Sequence, residues 1–69
     1  MSEKEMKRLA AFEQMLDSIR RQSALEESQM EALKAAGREK SATYRQFWGN
    51  RMHYQWMLKK YREYGLLDE

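Results

Sequence analysis

Cysteine and proline are both absent from these 69 residues. Without cysteine there is no disulfide framework, no thiolate metal site and no cysteine nucleophile. Without proline, no helix meets an enforced break. Valine is missing too, and the chain holds a single isoleucine and a single threonine, so strands are disfavoured. The three glycines (Gly37, Gly49 and Gly65) stand apart, which excludes a glycine-rich phosphate loop. No apolar run approaches the roughly 20 residues of a membrane span. The charged start (Glu3, Lys4, Glu5) does not read as a signal peptide, so a cytoplasmic protein is expected. The lone histidine, His53, has no Glu or His three or four positions away and therefore no helical metal pair. It is expected to be solvated or at an interface.

What remains is rich in Ala, Leu, Met, Glu, Lys, Arg and Gln, all good helix formers. The chain is 42% hydrophobic and carries eight aromatics, too much for plain disorder. Ser2-x-x-Glu5 is a capping box, which starts a helix near Glu3. Leu9, Phe12, Leu16 and Ile19, then Met30 and Leu33, alternate in steps of three and four, with Ser23 and Glu26 in the middle slots. That is a heptad seam. Ala35-Ala36-Gly37 reads as its end, Gly37 supplying the left-handed residue. Ser23-x-x-Glu26 is a further capping box, and a break there would give three helices. No Gly or Pro supports the break, so a continuous helix is expected over about 3–36.

A polar turn over 37–43 leads to Thr43-x-x-Gln46, a capping box that starts a second helix at about 44, running to 64. Its seam is Phe47, Tyr54, Leu58 and Tyr61, with Arg51 in the polar slot. Gly65 suits a left-handed cap, and Leu66 can fold back on Tyr61. Leu67, Asp68 and Glu69 are expected to fray. Folded at about residue 40, the two helices form one all-α antiparallel hairpin spanning residues 1–69. This pairing sets Leu33 near Phe47, Ile19 near Tyr61 and Ser23 near Leu58, and it brings Glu26 beside Tyr54 and within a turn of Arg51. A charge in a seam is costly unless paired, so the coincidence supports this register. As catalytic groups Glu26, Glu27 and Glu31 carry nothing: a charged helix surface with no pocket is expected to leave them facing solvent. No enzyme activity, cofactor or small-molecule substrate is expected.

The hairpin leaves two surfaces bare. The first helix is about 50 Å long at about 1.5 Å per residue and the second about 31 Å, so Met6, Leu9 and Phe12 overhang. The second helix is apolar on too many sides. Trp48, Met52 and Trp56 advance in steps of four along one flank, while His53, Met57 and Tyr64 lie on another. Seven of the eight aromatics fall between Tyr44 and Tyr64. If half of them face away from the first helix, about 600–700 Å² of aromatic surface stays exposed. Monomers seldom tolerate more than about 300–600 Å² in one patch. A second copy or another partner is therefore expected to cover these surfaces, with self-association into a four-helix bundle dimer driven by Met6, Leu9, Phe12 and the outer face of the second helix.

Charge divides along the chain. Residues 1–37 hold six Lys/Arg against seven Asp/Glu, and residues 38–69 hold seven against four. Interface hot spots favour Trp, Tyr and Arg, so Trp48, Met52 and Trp56 with Arg45 and Lys59 alongside are the expected anchor for a protein partner. Nucleic-acid contact through Arg51, Lys59, Lys60 and Arg62, with stacking aromatics between them, is the alternative use of the same helix. Against it, the net charge is only +2 and the basic residues spread around several faces. A membrane-surface helix fits worse, because the apolar positions are not confined to one face.

The stretch Ala36-Gly37-Arg38-Glu39-Lys40-Ser41-Ala42-Thr43-Tyr44-Arg45-Gln46, with the ending Tyr61-Arg62-Glu63-Tyr64-Gly65-Leu66-Leu67, resembles small two-helix proteins carried on mobile elements of Firmicutes. Those share a Gly-Lys-x-Lys-x-x-x-Tyr-x-Gln-like turn and a Tyr-Gly-Leu ending. The likeness covers about half the chain and departs from it at Trp48, Gly49 and Trp56. It implies a phage or plasmid accessory role, inhibition of host defence nucleases among them, and it assigns no functional residue. Taken together, the expected protein is a small interaction module, an adaptor or inhibitor.

Overall fold

The computed structural model describes residues 1–67 and consists of two helices, α1 (Glu3–Ala35) and α2 (Ala42–Glu63), with no strand among the described residues. They pack against each other as an antiparallel hairpin whose longest dimension is 52 Å. That length is set by α1 alone, since its 33 residues rise about 50 Å.

Each helix end is closed by a side chain or a glycine where the sequence offers one. At the start of α1, the Ser2 hydroxyl accepts from the Glu5 backbone N–H at 3.2 Å and donates to the Glu5 carboxylate at 3.0 Å. The helix then runs unbroken through Ser23, because no residue there removes a backbone donor and Ser23 lies half-buried in the seam. Its C-terminus is a Schellman motif: the Arg38 N–H reaches the Leu33 carbonyl at 2.8 Å and the Gly37 N–H reaches Lys34 at 3.0 Å. Gly37 sits at φ 72°, a conformation that strains any L side chain. The same motif ends α2. The Leu66 N–H bonds the Tyr61 carbonyl at 2.9 Å and Gly65 bonds Arg62 at 3.0 Å, with Gly65 at φ 71°.

The start of α2 differs from the Thr43 expectation. The cap is Ser41, whose hydroxyl accepts from the Tyr44 N–H at 3.1 Å, so the helix begins at Ala42. Ser41 N–H itself bonds the Arg38 carbonyl at 3.2 Å, so the turn that follows Gly37 delivers Ser41, not Thr43, to the capping position. Serine is also the better cap of the two.

The core is a single thin seam. From α1 it takes Leu16, Ile19, Glu26 and Met30, flanked by half-buried Ser23 and Leu33. From α2 come half-buried Tyr44, Phe47, Asn50, Tyr54, Leu58 and Tyr61. Among the described residues no large side chain is fully enclosed. Two corrections follow. Arg51, expected in the polar slot, is exposed, and Asn50 occupies that slot instead. Leu67, expected to fray, is buried, because the left-handed Gly65 turns the chain back toward the hairpin. Asp68 and Glu69, also expected to fray, lie outside the described residues. No helix of the structure is long and apolar enough to cross a membrane.

Candidate interaction surface

Three places on this hairpin depart from plain helix packing: a buried carboxylate in the seam, the overhang of α1, and the outward face of α2.

Glu26 is 4% exposed, not solvent-facing as expected for the three acids. Its carboxylate accepts from Asn50 Nδ2 at 2.7 Å, from the Tyr54 hydroxyl at 2.7 Å and from Gln22 Nε2 at 3.1 Å. Arg51, the cation expected nearby, pairs with exposed Glu27 at 3.3 Å. Burial pushes the Glu26 carboxyl upward, but donation from Asn50, then Tyr54, then Gln22 outweighs it and holds the group below its ordinary value. The Tyr54 hydroxyl is pushed the other way by its bond to Glu26, by burial and by the carboxylate's charge. Neutral donors satisfy the carboxylate without importing a second charge that would also need desolvating. The arrangement aligns the two helices, because the bonds form only when residue 26 stands opposite residues 50 and 54. Among the described residues no buried side-chain polar atom lacks a partner, and no group of three or more His, Asp or Glu is placed to hold a metal ion.

The overhang continues the seam face of α1 past the point where α2 stops. Leu9, Phe12 and Leu16 form one wall of a groove of about 220 Å³, and Tyr61 and Leu66 form the other. The Leu66 N–H closes the cap on the Tyr61 carbonyl, and both side chains line this groove. The Arg8 guanidinium lies over the Phe12 ring, 5.7 Å from its centroid, yet Phe12 remains half-exposed with Met6 and Leu9.

The outward face of α2 carries Trp48 at 54% exposed and Trp56 at 62%, with Met52 between them. These side chains, with Gly49 and His53, line an open hollow of about 610 Å³. Arg45 and Lys59 flank the strip, and neither has an ion-pair partner among the described residues. Lys60 sits 5.8 Å from the Trp56 ring centroid and pairs with Glu63 at 3.6 Å. The predicted partner-binding set thus gathers on one face. Of the basic set Arg51, Lys59, Lys60 and Arg62, Arg51 pairs with Glu27, Lys60 pairs with Glu63, and Arg62 is engaged within the chain.

Sequence reasoning missed three contributors. Tyr44 stands one seam step before Phe47, a continuation that the misplaced cap concealed. Asn50 and Arg51 both fit the heptad spacing, and the deciding signal was that a buried acid needs donors, not a second charge. From sequence, Gly49 reads as a helix cost that marks a kink or a close backbone approach, and neither points to an outward-facing hollow. No family model matches this chain, and no curated protein or solved structure matches it either.

Proposed function

We propose that this chain is a small non-enzymatic protein–protein interaction module, an adaptor or inhibitor, which binds a protein partner through Trp48, Met52 and Trp56 with Arg45 and Lys59 at the rim. The observation that carries this reading is the exposed strip itself. Two tryptophans and a methionine, each at least half-exposed, lie together on the face of α2 turned away from α1. Residues of this kind dominate binding energy at protein interfaces, and their exposure in a monomer is otherwise a liability. The overhang residues Met6, Leu9 and Phe12 serve a separate purpose in this proposal, namely dimerisation into a four-helix bundle. A hairpin whose core includes so few buried side chains gains most from that second layer. The resemblance of the turn and the C-terminal cap to mobile-element proteins supports an accessory role in the cytoplasm of a bacterial host, such as inhibition of a defence nuclease.

Nucleic-acid binding is the second reading, favoured by the five Lys/Arg against one Glu in α2. A pull-down from nuclease-treated lysate at two salt concentrations separates the two. Protein binding through an aromatic anchor survives moderate salt and collapses with Trp56→Ala, a loss of about 2 kcal/mol or more. Phosphate-driven binding weakens steeply with salt and falls when Lys59, Lys60 and Arg62 become Ala. Light scattering over a concentration series tests the dimer, and a stable monomer at micromolar concentration would refute it.

A further inference from the structure

Gly49 is a helix-interior glycine with no evident use inside the chain. It lies in the second turn of α2, where glycine costs about 1 kcal/mol relative to alanine. A methyl group built there meets nothing within 4 Å, so no close approach of α1 demands it, and its backbone is not in the left-handed region. The space it leaves opens outward into the hollow lined by Trp48, Met52, His53 and Trp56. Gly49, Met52, His53 and Trp56 stand at i, i+3, i+4 and i+7. Those four positions outline the hole into which a facing helix inserts one side chain in knobs-into-holes packing. A glycine at the first corner deepens that hole and lets the facing backbone come closer.

The spacing also speaks against stacked bases. Trp48 and Trp56 are eight residues apart, about 12 Å along the axis, with a non-planar Met between them. One helical turn of a packed partner advances about 5.4 Å and matches the step from Trp48 to Met52 to Trp56. Charge then narrows the choice of helix. Arg45 and Lys59 border the strip without ion-pair partners among the described residues, and the only acid of α2, Glu63, is occupied by Lys60. A partner bearing basic flanks would set like charges together, whereas acidic flanks would meet Arg45 and Lys59. The overhang of α1 does not supply this chemistry, since its acids Glu3, Glu5 and Glu13 are balanced by Lys4, Lys7 and Arg8.

We infer that the occupant of the outer face of α2 is an acidic amphipathic α-helix, seated with an apolar side chain in the hole between Gly49, Met52, His53 and Trp56. This deepens the proposed protein-binding role and rests on it. The test is a display library of 21-residue helices with a fixed leucine seam and all other positions free, selected on the full-length protein, with a 20-nucleotide single strand and a 20-base-pair duplex as competing probes. Both tryptophans of the chain lie on this face, so a blue shift of their emission reports occupancy directly.

Enriched helices should carry Asp and Glu beside the leucine seam. Changing those acids to Lys in a synthetic copy should weaken binding by about tenfold or more. Gly49→Leu, which fills the hole while leaving every charge in place, should weaken it by a similar factor and raise the thermal midpoint of the hairpin by a few degrees. Enrichment of neutral or basic helices, or binding unmoved by Gly49→Leu, overturns the acidic-helix assignment. If Trp56→Ala still abolishes that binding, the broader protein-docking role survives. Binding of an oligonucleotide with no helix enriched overturns both. Conversion of a dimer to a monomer by Gly49→Leu in light scattering would assign the face to a second copy, and the acidic helix would fall with it.

Discussion

Helix α1 carries one seam face along its whole length, apolar except at Ser23 and Glu26, but only the part beyond residue 15 finds a helix to lie against. Leu16 and Ile19 are 8% and 7% exposed, whereas Leu9 and Phe12, two steps and one step earlier in the seam, are 49% and 48% exposed. The residue types, the face and the secondary structure are the same on both sides of this line. What differs is that α2 ends at Glu63 and its Schellman cap turns the chain inward at Gly65. The contrast separates two roles that a hydrophobic seam can have. In the covered part it holds the hairpin together, and in the bare part it offers a surface to something else. Periodicity cannot distinguish them, because the spacing that makes a core face makes an interface face as well.

The sharpest way to break this comparison is to truncate a side chain on each side of the line. Ile19→Ala should cost about 2–5 kcal/mol at any protein concentration, enough to unfold much of a hairpin this small. Phe12→Ala should behave differently. In dilute protein it should cost little, since the ring is already half-exposed, and at concentrations where the proposed dimer forms it should cost about 3–5 kcal/mol. Chemical denaturation of both variants at two protein concentrations checks this. Equal, concentration-independent losses would mean that no second copy covers the overhang.

The next largest effect lies in the polar layer of the covered part. Tyr54→Phe removes one of the three donors to Glu26 and should cost about 1–3 kcal/mol, the penalty for a buried acceptor left short of a partner. Removing Arg51, which holds exposed Glu27, should cost about 1 kcal/mol or less. Comparing Tyr54→Phe with Arg51→Ala by urea denaturation therefore asks which residue fixes the register, the one in the seam or the one beside it.

The same layer sets a pH dependence. The folded Glu26 carboxyl titrates below its ordinary value of 4.5, so the unfolded chain binds more protons in that range and stability rises with pH there. The contribution is complete above the unfolded glutamate's titration and is lost as pH falls through the folded one. Glu26→Gln should flatten the stability profile on the acid side of pH 4.5, measured by thermal melts in steps of pH. An unchanged slope would mean that the exposed carboxylates, not this one, govern acid unfolding.

How much of this was legible beforehand depends on the kind of signal. The two helices, the Ser2 cap and both glycine ends follow from residues that act locally, and local chemistry can be read from a sequence. The Ser41 cap was not, because Ser41 and Thr43 are both chemically competent and the choice is made by the geometry of the turn after Gly37. The exchange of Asn50 for Arg51 has a similar origin. Heptad spacing tolerates either, and only the three-dimensional demand of a buried carboxylate for neutral donors decides it. Leu67 looked like a loose end because its burial depends on a reversal of the chain at Gly65, two residues after the helix has finished. On the candidate surface, the strip from Trp48 to Trp56 was legible from its four-residue steps. The hole at Gly49 was not, since a glycine's missing side chain means something only once the neighbouring space is known to be open.

That last point yields the smallest predicted effect, and it sets two glycines against each other. Gly37 and Gly49 both have nothing within 4 Å of a would-be Cβ, so neither is required by crowding. They differ in backbone. Gly37 stands at φ 72°, where a side chain is strained, so Gly37→Ala should destabilise the hairpin by about 1 kcal/mol. Gly49 has ordinary helical geometry, so Gly49→Ala should stabilise it by about 1 kcal/mol through helix propensity and a less flexible unfolded chain. For a domain of this size that is a rise of about 4–8 °C in thermal midpoint. The sign is the informative quantity. A destabilising Gly49→Ala would mean that the hairpin itself needs the gap at residue 49, and the glycine would belong to the covered half of the molecule. A stabilising one leaves Gly49 as a position where the chain gives up stability to keep a surface open.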